Sequence, residues 1–344
     1  SDLYIHEITS DSAENIWIGY HKPAVAKLKN GGIANINIPG LSTSSSGYKS
    51  LFYDHYNGGL WIAGRRGVFH YNARDGKWYE KELMPSMNNH VQSIYGEDRT
   101  IWFGFYGGYL KFTDNQLSYN SCLKYSFCQR VDAIYEANNT LYLGTLDGLW
   151  QYRNDRHKHL GKLNELFYHR VIAIDQYKEY LIIGTRGAGV LIKNGKKVEQ
   201  ITVEDGLISN SINALTLSGR YLWVATNKGL SRLLLNKLHS SEYQILNIGL
   251  PKGIPSPEIF DVCILNNETV YLATRNGLTS FDISNIQSNP HPPKISINHI
   301  EINEKDTAIQ STYYLASDQN YIRVGYKALT FKDAGNVVFR YQML

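Results

Sequence analysis

Seven short turns, recurring at nearly constant intervals, hold the residues of this chain best suited to chemistry. They are Tyr20-His21-Lys22, Gly64-Arg65-Arg66, Phe105-Tyr106-Gly107, Thr145-Leu146-Asp147, Thr185-Arg186-Gly187, Thr226-Asn227-Lys228 and Thr274-Arg275-Asn276. Six of their side chains are basic (Lys22, Arg65, Arg66, Arg186, Lys228, Arg275) and one, Asp147, is acidic. Cationic groups beside aromatic rings suit anionic ring-bearing ligands, because the guanidinium fork matches a carboxylate or sulfate while the ring offers stacking surface. The candidate ligand-binding residues are therefore Tyr20, His21, Lys22, Arg65, Arg66, Tyr106, Arg186, Lys228 and Arg275, with Phe105 beside them. Arg65, Arg186 and Arg275 share one offset within the repeat, which aims them toward a common mouth if the repeats form a ring. Long basic side chains are also common on solvated turns, so the plain surface reading stands beside the binding one.

Catalytic constellations are missing from the sequence: no Gly-rich phosphate loop, no helical pair of metal-spaced histidines, no Gly-x-Ser-x-Gly elbow and no calcium loop of alternating Asp. No catalytic residue, metal site or cofactor is expected. His157 and His159 read as exposed turn histidines, and Cys122 and Cys128 could bridge a loop in an oxidising compartment. The charge balance, 35 basic against 31 acidic residues for a net +4, is too small and too evenly spread for a nucleic-acid-binding face. No apolar run approaches the roughly 18 residues needed to span a bilayer.

The elements that carry the turns repeat with them. Large anchors, each followed two residues later by a small one, occur in Ile16-Trp17-Ile18-Gly19, Leu60-Trp61-Ile62-Ala63, Ile101-Trp102-Phe103-Gly104, Leu141-Tyr142-Leu143-Gly144, Leu181-Ile182-Ile183-Gly184, Leu222-Trp223-Val224-Ala225 and Val270-Tyr271-Leu272-Ala273. Successive anchors lie 44, 41, 40, 40, 41 and 48 residues apart, the length of one propeller blade. An apolar pair before most anchors, such as Val131 and Ile134, marks a first strand. A Gly followed by an apolar residue, such as Gly148-Leu149, opens a third, and a looser segment such as Lys77 to Glu82 makes a fourth. With 26 Tyr, 29 Gly and only 3 Met among 344 residues, the composition favours pleated strands and tight turns. The small residue shares a sheet face with its anchor and is expected to make room for the anchor of the next blade. The seventh repeat runs directly from Phe281 into Asn289-Pro290-His291-Pro292-Pro293, so its blade is expected to lack a fourth strand.

The fold expected is all-β: a seven-bladed β-propeller over residues 1–290, followed at 291–344 by the first part of an immunoglobulin-like β-sandwich. Ile295 to Ile302, Tyr321 to Val324 and Val337 to Tyr341 are its strands, and Leu160 to Phe167 is expected to be outer strand or loop. The units Ile94-Tyr95-Gly96-Glu97-Asp98-Arg99-Thr100-Ile101-Trp102-Phe103-Gly104 and Leu222-Trp223-Val224-Ala225-Thr226-Asn227-Lys228-Gly229-Leu230 resemble the two-component regulator propeller repeat. The tail, from Pro293 through Ala328-Leu329-Thr330-Phe331 to Phe339-Arg340-Tyr341-Gln342-Met343-Leu344, resembles the start of a triple-tyrosine domain.

The two resemblances together imply the periplasmic sensor region of a bacterial (hybrid) histidine kinase. They imply a non-enzymatic chain whose kinase parts, and any contact with the membrane, lie beyond Leu344. The basic turns point to a small-molecule or oligosaccharide ligand, derived from a polysaccharide or otherwise anionic; a homodimer is expected in the full receptor, and the charge balance leaves no nucleic-acid partner. The alternatives are a propeller-fold lyase, for which His21 is the only turn histidine, and an interaction scaffold, although no repeating Trp-Asp dipeptide occurs.

Overall fold

A computed structural model describes residues 4–21, 24–38, 48–64, 67–81, 90–114, 116–121, 127–237, 243–250, 253–286 and 294–328. The chain divides into two compact units, Ser1–Ile286 and Gln287–Leu344.

The first unit contains seven antiparallel sheets whose strands follow chain order. Their first strands are Ile5–Ser10, Tyr48–Asp54, Val91–Glu97, Val131–Ala137, Val171–Tyr177, Ile212–Ser218 and Ile259–Leu265. Each lies beside the first strand of the next sheet, and the last lies beside the first, so the ring closes on itself with seven blades. The anchors occupy the second strands, among them Ile16–Tyr20, Thr100–Phe105 and Tyr221–Thr226. Third strands such as Gly108–Thr113 and Leu230–Leu234 lie outside them. Outer strands, including Lys77–Lys81, Lys197–Ile201 and Ile245–Ile248, complete six of the sheets. Blade 7 has three strands among the described residues, and Ile283–Asn285 beyond its third strand is a 3-10 turn.

A four-stranded sheet offers two faces and no interior, so burial must come from stacking one blade on the next. Seven apolar clusters among the described residues each span one blade interface. The anchor-plus-two residue sets the spacing. A Cβ on Gly19 would lie 2.6 Å from Leu51 Cδ1, on Gly144 2.7 Å from Val171 Cγ1 and on Gly184 2.9 Å from Ile212 Cγ2. The small residue therefore makes room for the inner strand of the next blade. This corrects the expectation that it accommodates the neighbouring anchor, and the reason is that inner strands stand closest together around the axis.

Two carboxylates, one on each side of blade 1, reinforce the ring. Asp261 of blade 7 accepts the Ile8 N–H of blade 1 at 2.9 Å, and Glu7 of blade 1 accepts the Leu51 N–H of blade 2. Ser50 of blade 2 repeats the pattern by accepting the Ile94 N–H of blade 3 at 3.1 Å. Burial, together with the neighbouring Asp261, raises the Glu7 carboxyl well above the ordinary range, and burial raises Asp261 likewise.

Two local expectations change. Leu160–Lys162 and Glu165–Tyr168 form 3-10 turns rather than strand or loop, with His159 and Asn164 side chains accepting the N–H groups of Gly161 and Leu166 at their starts. They seat Leu160 and Phe167 in the cluster between blades 4 and 5. His157 and His159 are not exposed turn residues. His157 stacks on Phe127 at 4.6 Å and bonds to the Tyr109 hydroxyl at 2.9 Å, while His159 is buried against Tyr168.

The second unit, in its described residues, is one three-stranded antiparallel sheet in which Ile295–Ile302 pairs with Lys305–Asp306 and Ile322–Ala328. Val337 to Tyr341, and the tail motif from Leu329 onward, lie outside the described residues.

Candidate functional site

In blades 4 to 7 one device shapes the turn after the anchor strand. Thr145, Thr185, Thr226 and Thr274 are fully buried, and each Oγ1 donates to the carbonyl of the glycine that closes the turn, at 2.7–2.8 Å. The Thr185, Thr226 and Thr274 hydroxyls also accept N–H groups from within their turns. The glycines run at positive φ, from 74° at Gly189 to 144° at Gly229, a region costly for any residue with a Cβ. Thr-to-Gly turns of this kind fix the backbone beneath Arg186, Lys228 and Arg275, whose side chains are exposed.

The turns sit one strand outside the inner ring, so their residues alone do not make the mouth. The residues that precede or open the inner strands complete it. Asp132, only 6% exposed at its side chain, is held by Arg130 Nε at 2.6 Å and by Arg170 Nη2 at 2.9 Å. Arg130 donates to the Tyr106 hydroxyl at 3.2 Å and lies 4.9 Å from the centre of that ring. Arg186 donates through its backbone N–H to the Arg170 carbonyl and through Nη1 to Ser211 Oγ at 3.4 Å. Tyr4 stacks on His21 at 4.6 Å and packs on Phe260 at 4.5 Å. Arg275 lies 4.0 Å from Glu258 with 72% of its side chain exposed, a pairing too long and too wet to neutralise it.

The electrostatics tie these groups together across the ring. Burial and the charge of Arg170 lower the Arg186 guanidinium, while Glu258, Asp132 and Tyr4 raise it. Burial and Glu258 raise the Tyr4 hydroxyl, against the opposing influence of Arg275 and Arg186. Groups from blades 1, 4, 5 and 7 thus converge, with four guanidiniums (Arg130, Arg170, Arg186, Arg275) against two carboxylates (Asp132, Glu258). Guanidiniums therefore outnumber carboxylates by two among these described residues, an excess that attracts negative charge.

Of the residues singled out in the sequence, His21, Tyr106, Arg186 and Arg275 belong to this rim. Tyr20 is half-buried and packs into the cluster between blades 7 and 1, so it supplies core rather than stacking surface. Lys228 is exposed on its own turn. Lys22, Arg65 and Arg66 lie outside the described residues. Asp147 accepts Thr145 Oγ1 and Trp150 Nε1 and serves its own turn. Tyr4, Arg130, Asp132, Arg170, Glu258 and Phe260 were not anticipated. Their signal is positional, since Tyr4, Arg130, Arg170 and Glu258 each stand immediately before the first apolar residue of an inner strand.

Among the described residues one group has metal-ligand geometry, His299 with Glu301 at 2.8 Å and Asp306 at 3.5 Å, in the second unit. Arg323 pairs with Glu301 at 3.1 Å. Cys128 is disulfide-bonded, Cys122 lies outside the described residues, and Cys263 is free and buried.

No protein-family model matches the chain. No curated protein matches it in sequence. Solved structures resemble it in fold. The extracellular domain of BT4673 from B. thetaiotaomicron, described as part of a one-component system, superposes with a TM-score of 0.65 at 17% identity over 86% of this chain and 41% of that one. A second structure of that extracellular domain, described as part of a hybrid two-component system, gives 0.64 at 18% identity over 85% of this chain and 39% of that one. YCF48 bound to D1 peptide gives 0.61 at 11% identity over 84% and 95%. The chain thus spans about two fifths of the length of the BT4673 domain. No helix among the described residues is long and apolar enough to cross a membrane. At these identities the likenesses establish architecture, and the chain is an all-β protein built on a propeller.

Proposed function

We propose that this chain is a ligand-binding input module from the extracytoplasmic region of a two-component-type sensor, and that the rim around the propeller mouth is its ligand site. What supports the reading is that Arg170, Arg186, Arg275, Asp132, Glu258 and Tyr4, from separate blades, lie near enough to influence one another, with Arg130 over Tyr106 and Phe260 against Tyr4 beside them. The likeness to the extracellular BT4673 domain supports a sensing role, and the disulfide at Cys128 supports an oxidising, periplasmic setting. The ligand fitting this rim is an anionic oligosaccharide fragment, with carboxylate or sulfate on the guanidiniums and a sugar face on Tyr106 or His21. The module performs no chemistry itself. It passes a conformational bias onward, through a homodimer of the full receptor, to phosphoryl-transfer parts outside this chain.

Calorimetric titration of acidic and neutral glycan fragments into the wild type and into Arg186→Ala tests the reading. One charge-assisted bond in a partly desolvated rim contributes about 1.5 to 3 kcal/mol, or roughly ten- to a hundredfold in affinity. Acidic fragments should bind, and the variant should weaken them by that factor at low salt. Equal affinity for neutral fragments, or no effect of the substitution, refutes the assignment.

A further inference from the structure

Every blade carries a bulge at the same place, the mouth end of its inner strand. In all seven the ladder to the second strand skips the second residue of the inner strand, as between Ile5 and Glu7 or between Val131 and Ala133. None of the skipped residues is buried, although the residue before it, such as Ile5, Val131 or Ile259, is. A bulge re-aims the side chain of its extra residue. Here those side chains reach from blade to blade. Asp132 meets Arg170 of blade 5 at 2.9 Å, Asn213 Nδ2 donates to the Ile259 carbonyl of blade 7 at 2.7 Å, and Phe260 packs on Tyr4 of blade 1 at 4.5 Å. The rim residues Tyr4, Arg130, Arg170 and Glu258 stand two positions earlier on the same strands, so the skipped residues form a second tier beside the rim.

Lys49 supplies the one cation of that tier. The other basic candidate, His6, is neutral, because burial, then the charges of Lys49 and His21, lower its imidazole to about 4. The cations around the mouth differ in what they are already paired with. Arg130 and Arg170 both hold Asp132, and Arg275 has Glu258 beside it. The Arg186 side chain reaches only Ser211 Oγ, and the exposed Lys49 ammonium has no hydrogen bond or ion pair among the described residues.

Arg186 belongs to blade 5 and Lys49 to blade 2, three blades apart, which is the widest separation a ring of seven permits. On the arc between them by way of blade 1 lies Tyr4, whose hydroxyl Arg186 influences. A ligand with one anionic group can meet one of these two cations, whereas a ligand with two separated anionic groups can meet both. We propose that the mouth selects a dianionic ligand, with one carboxylate or sulfate on Arg186 and the second on Lys49, across the arc that holds Tyr4. Among acidic glycan fragments this favours a disaccharide with a charge on each ring over a single charged sugar. The inference rests on the rim being the ligand site.

Calorimetric titration of galacturonate and digalacturonate into the wild type, Arg186→Ala, Lys49→Gln and Lys49→Arg tests it, with Lys228→Gln as a control for loss of one exposed positive charge. Digalacturonate should bind more tightly than galacturonate. Lys49→Gln should weaken digalacturonate about tenfold, the worth of one charge-assisted bond, and leave galacturonate within about twofold, and Lys49→Arg should restore the difference. Arg186→Ala should weaken both acids. Weakening of both acids by Arg186→Ala with digalacturonate unchanged in Lys49→Gln keeps the rim and overturns the second contact. An equal loss in Lys228→Gln and Lys49→Gln also overturns it, since net charge alone would then account for the effect. Absence of binding by either acid, or no effect of Arg186→Ala and Lys49→Gln alike, overturns the rim together with this inference.

Discussion

Asp175 offers a clean test of how burial shapes this fold. It lies in the inner strand of blade 5, opposite Ile182, where its Oδ1 accepts only the Gln176 N–H at 2.7 Å. Burial pushes its carboxyl up from 3.8 to about 6, partly offset by that bond. An acid raised on folding binds its proton more tightly in the folded state. Its contribution is therefore fully favourable below the unfolded value near 4 and is lost as pH rises through about 6. The difference of about 2 between the two values corresponds to roughly 3 kcal/mol. Asp175→Asn keeps the Oδ1 acceptor and removes the ionisation. The variant should exceed the wild type by about 3 kcal/mol at pH 8 and by about half a kcal/mol at pH 4. Urea unfolding at pH 4, 6 and 8 measures this as a growing gap between midpoints. A gap that does not change with pH, or a variant less stable at pH 8, refutes the assignment of the buried charge.

Asp11→Ala should cost about 3 kcal/mol or more by stranding a buried cluster, because Asp11 accepts from Asn15 and Trp17 and pairs with Lys27 at 2.8 Å. Burial works upward on the Asp11 carboxyl, but the bonds from Lys27, Asn15 and Trp17 outweigh it and hold it below the ordinary range. The stabilisation should therefore persist at neutral pH and fade as acid titrates the group, which thermal melts at pH 7 and pH 3 will resolve. Gly144→Val should destabilise by about 1 to 3 kcal/mol through overpacking against Val171 and Ala133. Hydrogen exchange should show that loss concentrated in the inner strands of blades 4 and 5, and uniform loosening would contradict it.

The ring was legible because its signal repeats. One anchor strand is ambiguous, whereas seven at a spacing of 40 to 48 residues admit one architecture. The rim was half legible for the opposite reason. Its turn residues stand out as charged tripeptides, but Arg130, Arg170 and Glu258 are single residues at strand starts. Their common register emerges only once the inner strands are aligned. The 3-10 turns at Leu160 and Glu165 were hidden because a helical stretch this short has no periodicity to read, and the caps that set it, His159 and Asn164, are common loop residues. Tyr20 misled because an aromatic residue at a turn looks the same in sequence whether it faces solvent or the next blade.

The ring is a hoop whose seventh blade has three strands among the described residues. Six of its joints are bridged by a connecting segment, but the joint between blades 7 and 1 has no strand shared across it among the described residues. It is held by Asp261 on the Ile8 N–H, by the cluster around Ile5 and Cys263, and by Tyr4 against Phe260. If the rim is the ligand site proposed above, a molecule touching Arg275 on one side of this joint and His21 on the other would act as a clasp across it. Clasping and closure are then thermodynamically reciprocal. Ligand at a hundred times its Kd would raise the work of springing the hoop by about 2.7 kcal/mol, and whatever tightens the hoop from elsewhere would tighten the ligand by the same factor.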